Sequence, residues 1–382
     1  MPWECKTVEK IRREFILEAI QNEKSISALC REYGISRPTA YKWLERFHNG
    51  ENLNDRSHEA IYKPRKTSAE KEELILEIRS EHPTWGPRKL RKFLLNKGYE
   101  ELPAPSTIAA ILKRNGCITP EATEAHTPWK RFEKDNPNEM WQMDYKGNFE
   151  LCDGTRCFPL TILDDCTRYS ICLEAKENER WLPLKDSLQR VFREYGLPKS
   201  ILCDNGNPWG SVGKGYTQFD IWMMQMNVLP IHGRVLHPQT QGKDERFHRT
   251  LKEDVLKRTF LKNLDHAQNE FDKFRYCYNN ERPHESLGLD VPAKHYCKSK
   301  QKYIVNPKEP EYENGNQLRK VNYKGYISIN RHRYFLSDSF IDKYIEIVTI
   351  DENRLQLCYG NFIIANVDTE EKSIISKKIY RR

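Results

Sequence analysis

The sequence predicts a multidomain chain: all-α helix-turn-helix units, then an α/β core with a mixed sheet, then a small antiparallel β-barrel. Three observations predict this order. The chain has 382 residues, and single domains usually contain roughly 100 to 200. Its first third carries apolar residues at helical spacing, and its middle alternates strand and helix patterns. Its end consists of short apolar strands separated by turn residues, which is typical of a barrel.

The first unit, residues 1–62, contains a helix over Val8–Gln21 and two further helices joined by a tight turn at Gly34. Ser25 and Ser36 occupy the expected N-cap positions of those two helices. This is the helix-turn-helix pattern, whose last helix enters the DNA major groove, although an ordinary helical hairpin remains the alternative. The candidate DNA contacts are Arg37, Thr39, Tyr41 and Lys42, whereas Ala40, Trp43, Leu44 and Phe47 are expected to pack inward.

The second unit, residues 63–117, has the looser spacing of a winged-type helix-turn-helix. Its helices are predicted over 69–81, 86–97 and 106–115, with Pro105-Ser106-Thr107 capping the last one. Residues 1–117 hold 22 Lys and Arg against 17 Asp and Glu, so an excess of +5 out of the chain's +8 lies at this end. That asymmetry favours DNA contact here. The candidate residues are Arg88, Lys89, Lys113 and Arg114.

Residues 118–137 read as a linker and residues 138–298 as the α/β core. Three strands in a meander, followed by alternating helices and strands, indicate a mixed sheet. The predicted core elements are strands near 140–149, 157–164 and 169–174, a helix over 181–195, a strand over 200–203, a helix near 217–226, a strand over 228–232, a long helix from Gly242 and a last helix from about Asp265 that stops before Pro283. A linker (299–321), the barrel (322–368) and a basic tail (369–382) complete the chain. The basic runs Lys298–Lys302 and Lys377–Arg382 are expected to be solvated until DNA binds.

Three acidic residues occupy positions where a surface role is not the simplest reading. Asp144 lies within a predicted strand, Asp204 ends another strand, and Glu245 lies in the first turns of the long helix. Three carboxylates supply the oxygen ligands that Mg²⁺ or Mn²⁺ prefers, and two such ions can promote in-line attack on a phosphodiester. The alternative is that each acid is a cap or turn residue; it is weaker for all three together than for any one.

The long helix carries basic residues on the same face as Glu245. Arg249 and Lys252 follow it by four and seven positions, while Phe247, Leu251 and Val255 form the opposite, buried stripe. We expect this basic face to meet a polyanion, and a surface ladder of ion pairs is the alternative. The candidate DNA contacts of the core are Lys243, Arg249 and Lys252.

Four segments together resemble the integrase-type DDE transposases of bacterial insertion sequences, within the retroviral integrase superfamily. They are WQMDYKG at 141–147, DNG at 204–206, GKDERFHRTLK at 242–252 and YNNERPH at 278–284, and the likeness extends over almost the whole chain. The resemblance implies an RNase H-like catalytic core in which Asp144, Asp204 and Glu245 bind two divalent metal ions. It also implies that Lys252 contacts DNA near the scissile phosphate. Asp244 is the only competitor for the role of Glu245.

The chain departs from the wider superfamily in two ways. It lacks the residues for an N-terminal His-His-Cys-Cys zinc domain, so recognition of DNA ends is expected to rest on the helix-turn-helix units. The interval from Asp204 to Glu245 is also long, and the Gly-rich loop Asn207–Tyr216 within it is expected to be mobile and to close over DNA. Residues 278–284 are read as a packing element, with phosphate contact by Arg282 and His284 as the alternative.

Composition restricts the remaining possibilities. The apolar runs are far shorter than the roughly 18 residues of a membrane span, and the N-terminus lacks the pattern of a signal peptide. The eleven cysteines are scattered, which predicts a reducing compartment and no structural zinc site. We therefore expect a cytoplasmic, nucleoid-associated protein that needs no small-molecule cofactor.

The sequence thus predicts a transposase that binds the terminal inverted repeats of its element, cleaves the 3′ ends and joins them to target DNA. Its expected partners are double-stranded DNA and at least one further copy of itself, since an element has two ends. A DNA-binding regulator with an inactive core and an RNase H-like nuclease without strand transfer are the two alternatives.

Overall fold

The computed structural model describes residues 7–55, 67–118, 133–210, 215–233, 242–313 and 317–382. By their internal contacts the residues divide into two compact units, Met1–Lys66 and Thr67–Arg382. Within the described ranges, no helix combines the length and apolarity that crossing a membrane requires.

The first unit is a bundle of three helices that cap themselves: α1 (Val8–Gln21), α2 (Ile26–Glu32) and α3 (Arg37–His48). The side chains of Thr7, Ser25 and Ser36 accept hydrogen bonds from backbone N–H groups in the first turn of each helix. Gly34, with φ of +63°, makes the turn between α2 and α3. Ala40 and Trp43 are buried, and Leu44 and Phe47 pack against them, so the predicted inward face of α3 is confirmed.

The second unit begins with three more helices: α4 (Ala69–Glu81), α5 (Pro87–Asn96) and α6 (Pro105–Arg114). Their small core contains Ile75, Trp85, Leu90 and Ile108, and His82 stacks on Trp85 with ring centroids 3.8 Å apart. Only α4 has a side-chain cap, from Ser68. The expected cap at 105–107 is wrong, because the N-cap of α6 is Ala104 and makes no side-chain bond.

The core sheet is mixed, with the spatial order β4-β3-β1-β5-β6. β3 is antiparallel to both β4 and β1, whereas β1, β5 and β6 are parallel to one another. The strands are β1 (Trp141–Tyr145), β2 (Phe149–Glu150), β3 (Arg156–Asp164), β4 (Ser170–Lys176), β5 (Ser200–Cys203) and β6 (Leu229–His232); the helices are α7 (Trp181–Tyr195), α8 (Gln218–Gln225), α9 (Gly242–Leu251) and α10 (Leu264–Asn280). The predicted mixed sheet is confirmed, and the short strand β2 was not separated from β1 in the prediction.

Helices cover both faces of this sheet. The apolar residues of α7 and α8 form one cluster with Trp141, Met143 and Tyr145 of β1, and those of α9 and α10 form another with Leu163 and Leu173. Because side chains alternate along a strand, Asp144 lies on the α9 face. The predicted long helix is interrupted: α9 ends at Leu251 and continues as one π-helical turn, Lys252–Leu256.

The C-terminal region is an antiparallel sheet with the order β13-β12-β11-β10-β7, and it packs through Phe340 and Tyr359 against Ile221 and Met224 of α8. Its strands are β7 (Gln317–Lys320), β8 (Tyr326–Ile329), β9 (His332–Phe335), β10 (Tyr344–Thr349), β11 (Arg354–Tyr359), β12 (Phe362–Asp368), β13 (Ser373–Ser376) and β14 (Tyr380–Arg381), where β8 and β9 form a separate hairpin. The predicted antiparallel strands are confirmed, but among the described strands no hydrogen-bonded ladder joins β7 to β13, so a closed barrel is not seen.

Residues 369–382, predicted as a basic tail, form two strands of the sheet, while Lys378, Arg381 and Arg382 are exposed as expected. β13 and β14 both pair with β12, and Ile374 and Ile379 pack against the apolar cluster of the sheet. Arg382 forms an ion pair of 2.7 Å with Glu346. The basic residues led to the prediction of a tail, but the isoleucines between them supply apolar area that the sheet buries.

Candidate active site and DNA interface

Asp144 lies on β1, and Asp204 directly follows the neighbouring parallel strand β5. Trp141 and Gln142 of β1 pair with Ile201 and Leu202 of β5, and the same register continued by two residues sets Asp144 beside Asp204. Both side chains therefore leave the sheet on the same face, at the carboxyl end of β5, where sheets of this kind usually bind ligands.

Asp144 is three-quarters buried among other acids. Burial, and next the negative charge of Asp204, raise the pKa of its carboxyl group to about 7, with smaller contributions from Glu179 and Glu245 and against a backbone hydrogen bond that lowers it. His248 Nδ1 lies 3.8 Å from Asp144 Oδ2. Burial and the charge of Lys146 lower the pKa of His248 to about 3, so this imidazole is neutral and the contact is not an ion pair.

Asp204 is oriented by the turn that follows it. Its Oδ1 accepts hydrogen bonds from the backbone N–H of Gly206 at 2.9 Å and from Trp209 Nε1 at 2.5 Å. Trp209 is buried and stacks on Tyr145 with ring centroids 5.2 Å apart. A side chain at position 206 would place its Cβ 3.0 Å from Asp204 Oδ2, so the glycine leaves the carboxylate its space. The carboxylate is thereby fixed in direction.

Glu245 and Asp244 differ sharply although they are neighbours on α9. Glu245 is exposed and its charge reaches Asp144, whereas Asp244 is fully buried. Both oxygens of Asp244 lack a hydrogen-bond partner among the described residues. Burial, and next the charges of Asp144 and Asp165, hold the pKa of Asp244 well above its usual range. Because the carboxyl of Asp244 is enclosed and that of Glu245 is exposed, Glu245 is the better placed of the two to act as the third acid.

The donor chemistry of this cluster fits a hard divalent cation. Asp144, Asp204 and Glu245 offer carboxylate oxygens only, and their mutual repulsion is what a bound cation would relieve. As placed, no three His, Cys, Asp or Glu side chains of the described residues converge closely enough to hold an ion.

The sequence reasoning missed two charged residues at this site. Lys146 is half-buried, and the positive charge of Lys252 adds to burial in lowering the pKa of Lys146. It follows Asp144 by two positions on the strand, so the period of two could have identified it. Glu179 precedes α7, and burial and the charge of Asp204 raise its pKa. No local pattern points to Glu179, because only the tertiary fold brings it to Asp144.

The predicted DNA contacts of the first unit lie on the outer face of α3. Arg37, Tyr41 and Lys42 are exposed, and Thr39 is half-buried and bonded to Ser36 through its hydroxyl at 2.8 Å. Arg37 donates a hydrogen bond to Ser27 Oγ. The helix therefore presents these side chains outward, and their contact with DNA stays a prediction.

The predicted DNA contacts within Thr67–Arg382 differ in how freely they can reach DNA. Arg88, Lys113, Arg249 and Lys252 are exposed. Arg114 is held by Glu72, whose Oε1 lies 3.0 Å from Arg114 Nε. Lys243 Nζ lies 2.5 Å from the buried carboxylate of Asp165 and is itself only 14% exposed. The geometry does not favour Lys243 as a DNA contact, since its ammonium group already neutralises an internal acid.

The interior of the loop Asn207–Tyr216 lies partly outside the described residues, at 211–214. Its far end is fixed: Tyr216 is buried, donates a hydrogen bond to Ile364 O and accepts one of 2.5 Å from Ser337. The segment 278–284 is also buried in part, with Tyr278 6% and Arg282 7% exposed, and its Asn279 side chain bonds to the backbone of Ser170. These contacts agree with the packing role read for that segment.

Four family models match the chain. A helix-turn-helix domain matches residues 11–59 and a homeodomain-like domain residues 39–112, while two integrase core domain models match residues 134–238 and 226–292. The acids at 144 and 204 fall in the first integrase match and the acid at 245 in the second.

The chain is also similar to proteins of bacterial insertion elements. It is 22% identical to an uncharacterized 31.7 kDa protein of insertion element IS407 from Burkholderia multivorans, over 74% of this chain and 95% of that one. It is 22% identical to the putative transposase of insertion sequence element IS5376 from Geobacillus stearothermophilus, over 97% of this chain and 91% of that one.

Two solved viral structures show a weaker likeness. A chain of a simian T-cell lymphotropic virus intasome is 13% identical, covers 81% of this chain and 98% of its own, and has a TM-score of 0.40. The HTLV-2 integrase catalytic core domain in complex with magnesium is 17% identical, covers 42% of this chain and 98% of its own, and has a TM-score of 0.32.

Proposed function

We propose that this chain, which matches integrase core and helix-turn-helix domain models and is similar to a putative insertion-sequence transposase, is a DNA transposase that cleaves element ends and joins them to target DNA. The single observation that carries the chemistry is the placement of Asp144 beside Asp204 on adjacent parallel strands, with Glu245 on the helix that crosses the same face. Its partners are then double-stranded DNA and at least a second copy of the chain.

Asp144, Asp204 and Glu245 would hold two Mg²⁺ or Mn²⁺ ions. When bound, such ions would activate the attacking oxygen and stabilise the leaving oxygen of a phosphodiester. The surrounding side chains orient the carboxylates. The Gly206 and Trp209 bonds fix the direction of Asp204, and His248, neutral and bonded to Thr161 at 2.8 Å, fills the side of Asp144 without adding charge.

Lys146, which follows Asp144 by two positions, and Lys252, whose charge acts on Lys146, would supply positive charge to a DNA phosphate bound near the acids. In the first reaction a water oxygen attacks the phosphorus at the element end, and the 3′ oxygen leaves as the free hydroxyl. In the second that 3′ hydroxyl attacks a target phosphodiester, so one ester bond forms as one breaks and no covalent enzyme intermediate is needed. Both reactions use the same carboxylates.

The test is Mg²⁺-dependent cleavage of DNA carrying the inverted repeats that flank the gene, followed by joining of pre-cut ends to a target. We expect both activities in the parent protein. We expect Glu245→Gln to lose roughly a thousandfold or more of each while end binding persists, as when one member of a catalytic set is removed. The matched control is Asp244→Asn, next to it on α9, which should keep most of the activity.

Each other outcome points to a definite alternative. Cleavage without any joined product would favour an RNase H-like nuclease, and end binding without cleavage would favour a regulator with an inactive core. Loss of activity in Asp244→Asn with full activity in Glu245→Gln would identify Asp244, and not Glu245, as the third acid.

A further inference from the structure

Three residues far apart in the sequence meet where the helices α4–α6 pack on the catalytic core. Thr84 Oγ1 donates a hydrogen bond of 2.8 Å to one oxygen of Asp254, and Arg282 NH1 donates one of 2.8 Å to the other. Arg282 NH1 also lies 3.3 Å from Thr84 Oγ1, which closes the triangle. We call Thr84, Asp254 and Arg282 the joint.

The joint is nearly closed to water on the core side. The side chain of Arg282 is 8% exposed and that of Asp254 is 18% exposed. A charged pair in such a position needs its hydrogen bonds to offset the loss of hydration. The pair therefore holds one geometry, and the hydroxyl of Thr84 ties the turn between α4 and α5 to that geometry.

Further contacts join α4–α6 to the core on either side of the joint, and we call this whole interface the seam. Arg258 NH1 donates a hydrogen bond of 3.1 Å to the carbonyl of Glu81 at the end of α4, and Lys97 Nζ lies 3.8 Å from Glu281. Cys277 of α10 packs against the apolar core of α4–α6. The second helix-turn-helix is thus held to the core on both sides of the joint.

The position of Asp254 connects the joint to the proposed active site. It lies in the π-helical turn that continues α9, nine residues after Glu245 and two after Lys252. Nine residues of helix span about 13 Å, so the acid proposed for catalysis and the acid of the joint lie about that far apart along one helical segment, α9 and its π-helical turn. A π-helical turn of this kind is rare and often marks a functional position.

The seam is also basic where α5 begins. Arg88, Lys89 and Ser106 line an open cavity of about 370 Å³ together with Glu285 of the core. Burial and the nearby charges of Arg282 and Arg246 lower the pKa of Lys89 to about 8. Cations of both the helix-turn-helix and the core thus crowd together, which suits a polyanion that runs across the seam.

We infer that Thr84, Asp254 and Arg282 are positioning residues that set the distance between the DNA held by α4–α6 and the catalytic carboxylates, and so select the phosphate that is cut. This inference rests on the proposed function. DNA seated on α5 and α6 can reach the acids in one register only if the seam does not move. A misplacement of about 1 Å at a reacting group can cost about a hundredfold in rate.

The test uses an isosteric pair at the exposed position of the joint. Thr84→Val keeps the shape of the side chain and removes the hydroxyl, whereas Thr84→Ser keeps the hydroxyl. With full-length protein and labelled end DNA, we expect Thr84→Val to lower the cleavage rate about threefold to tenfold, as for one lost hydrogen bond, and to spread cuts to neighbouring phosphates. End affinity should not change. Thr84→Ser should restore the parent rate and cut site.

A second variant and a matched control separate positioning from general damage. Asp254→Ala should produce a larger loss of rate and the same spread of cuts. Glu253→Ala, which removes the adjacent acid that pairs with Lys257 at 2.6 Å outside the joint, should behave as the parent. Uniform slowing at an unchanged cut site in Thr84→Val and Asp254→Ala would overturn the positioning role.

Hydrogen exchange without DNA decides whether the joint exists independently of any cleavage. Thr84→Val and Asp254→Ala should speed exchange at 80–86 and 252–258 and leave α1–α3 unchanged. Parent-like exchange in both variants would overturn the joint. Failure of the parent protein to cleave DNA would instead count against the proposed function, and the exchange result would still stand.

Discussion

The two helix-turn-helix regions of this chain are built differently. The helices α1–α3 carry a side-chain cap at every N-terminus and form a compact unit of their own. The helices α4–α6 have one side-chain cap among three and belong to the unit of the catalytic core, to which Thr84, Arg258 and Lys97 bind them.

The difference indicates separate tasks for two regions with the same local pattern. A self-capped bundle has what it needs to keep its shape alone, which suits a reader of DNA sequence. A bundle that takes part of its stabilisation from the core is fixed in place by that dependence. We expect the first to determine which DNA is bound and the second to determine where that DNA lies relative to the acids.

The largest expected effect comes from removing one hydrogen-bonded arginine from each unit. Arg282→Ala leaves the carboxylate of Asp254 without its cation, which should cost about 2 to 3 kcal/mol in the free energy of unfolding of Thr67–Arg382. Arg12→Ala is the matched variant in the first unit, where the guanidinium bonds to Leu53 O and Asp55 at 2.7 Å and lies 3.8 Å from the Trp43 ring centre.

Urea denaturation read by region-resolved hydrogen exchange checks this pair. Arg282→Ala should weaken α4–α6 and the core together and leave α1–α3 as in the parent. Arg12→Ala should weaken only α1–α3. If Arg282→Ala released α4–α6 while the core kept its full protection, these helices would not depend on the core in the way the contacts indicate.

The pH dependence of Asp144 gives the next largest effect, and it concerns the core alone. Burial raises the folded-state pKa of Asp144 to about 7, above its usual range near 4, so the folded protein prefers the protonated acid. Stability from this group is therefore full below pH 4 and is lost as the pH rises through 7. In metal-free protein, Asp144→Asn should gain about 2 to 3 kcal/mol more in unfolding free energy at pH 8 than at pH 5.

Thermal or urea unfolding of parent and variant at both pH values, with a chelator present, measures this difference. Added Mg²⁺ at pH 8 should make the parent more stable to unfolding than Asp144→Asn, because the carboxylate of Asp144 would then bind the ion and the amide would not. A variant whose gain is equal at pH 5 and pH 8 would show that the carboxyl of Asp144 is not destabilised by its surroundings.

Local pattern predicted most elements of the fold. The helices over 8–21, 69–81 and 181–195 and the strand over 200–203 have the bounds that caps and apolar spacing indicated, because those signals lie within a few residues of the element they define. The strands of 369–382 were missed because alternation is weak there and charge dominates the composition.

The three acids of the candidate site could be proposed from the sequence, but the residues around them could not. Asp144, Asp204 and Glu245 each stand out against a local pattern, whereas Glu179 does not. The joint was likewise hidden, because Thr84 and Asp254 are 170 residues apart and no period connects them. A motif reading of 278–284 correctly suggested packing, but the partner of Arg282 could be found only in the folded chain.

The smallest expected effect compares one basic residue of each helix-turn-helix region. Lys42 is exposed on α3 with its ammonium group 5.3 Å from the Trp43 ring centre, and it forms no ion pair with another described residue, so it is available to a phosphate. Arg114 at the end of α6 is already paired with Glu72. Lys42→Ala should weaken end binding about threefold to tenfold and reduce the slope of log affinity against log salt by about one, whereas Arg114→Ala should change both less.

Fluorescence anisotropy with end DNA between 50 and 200 mM salt, roughly the range over which phosphate contacts show their salt dependence, provides both quantities. Glu72→Ala is the control that frees Arg114: it should tighten binding slightly, and Arg114→Ala should cost more in that background than in the parent. Equal losses for Lys42→Ala and Arg114→Ala in the parent would mean that the Glu72 pair opens on DNA. In that case α6 would bind DNA as freely as α3, and the division between a sequence reader and a positioned support would rest on the joint alone.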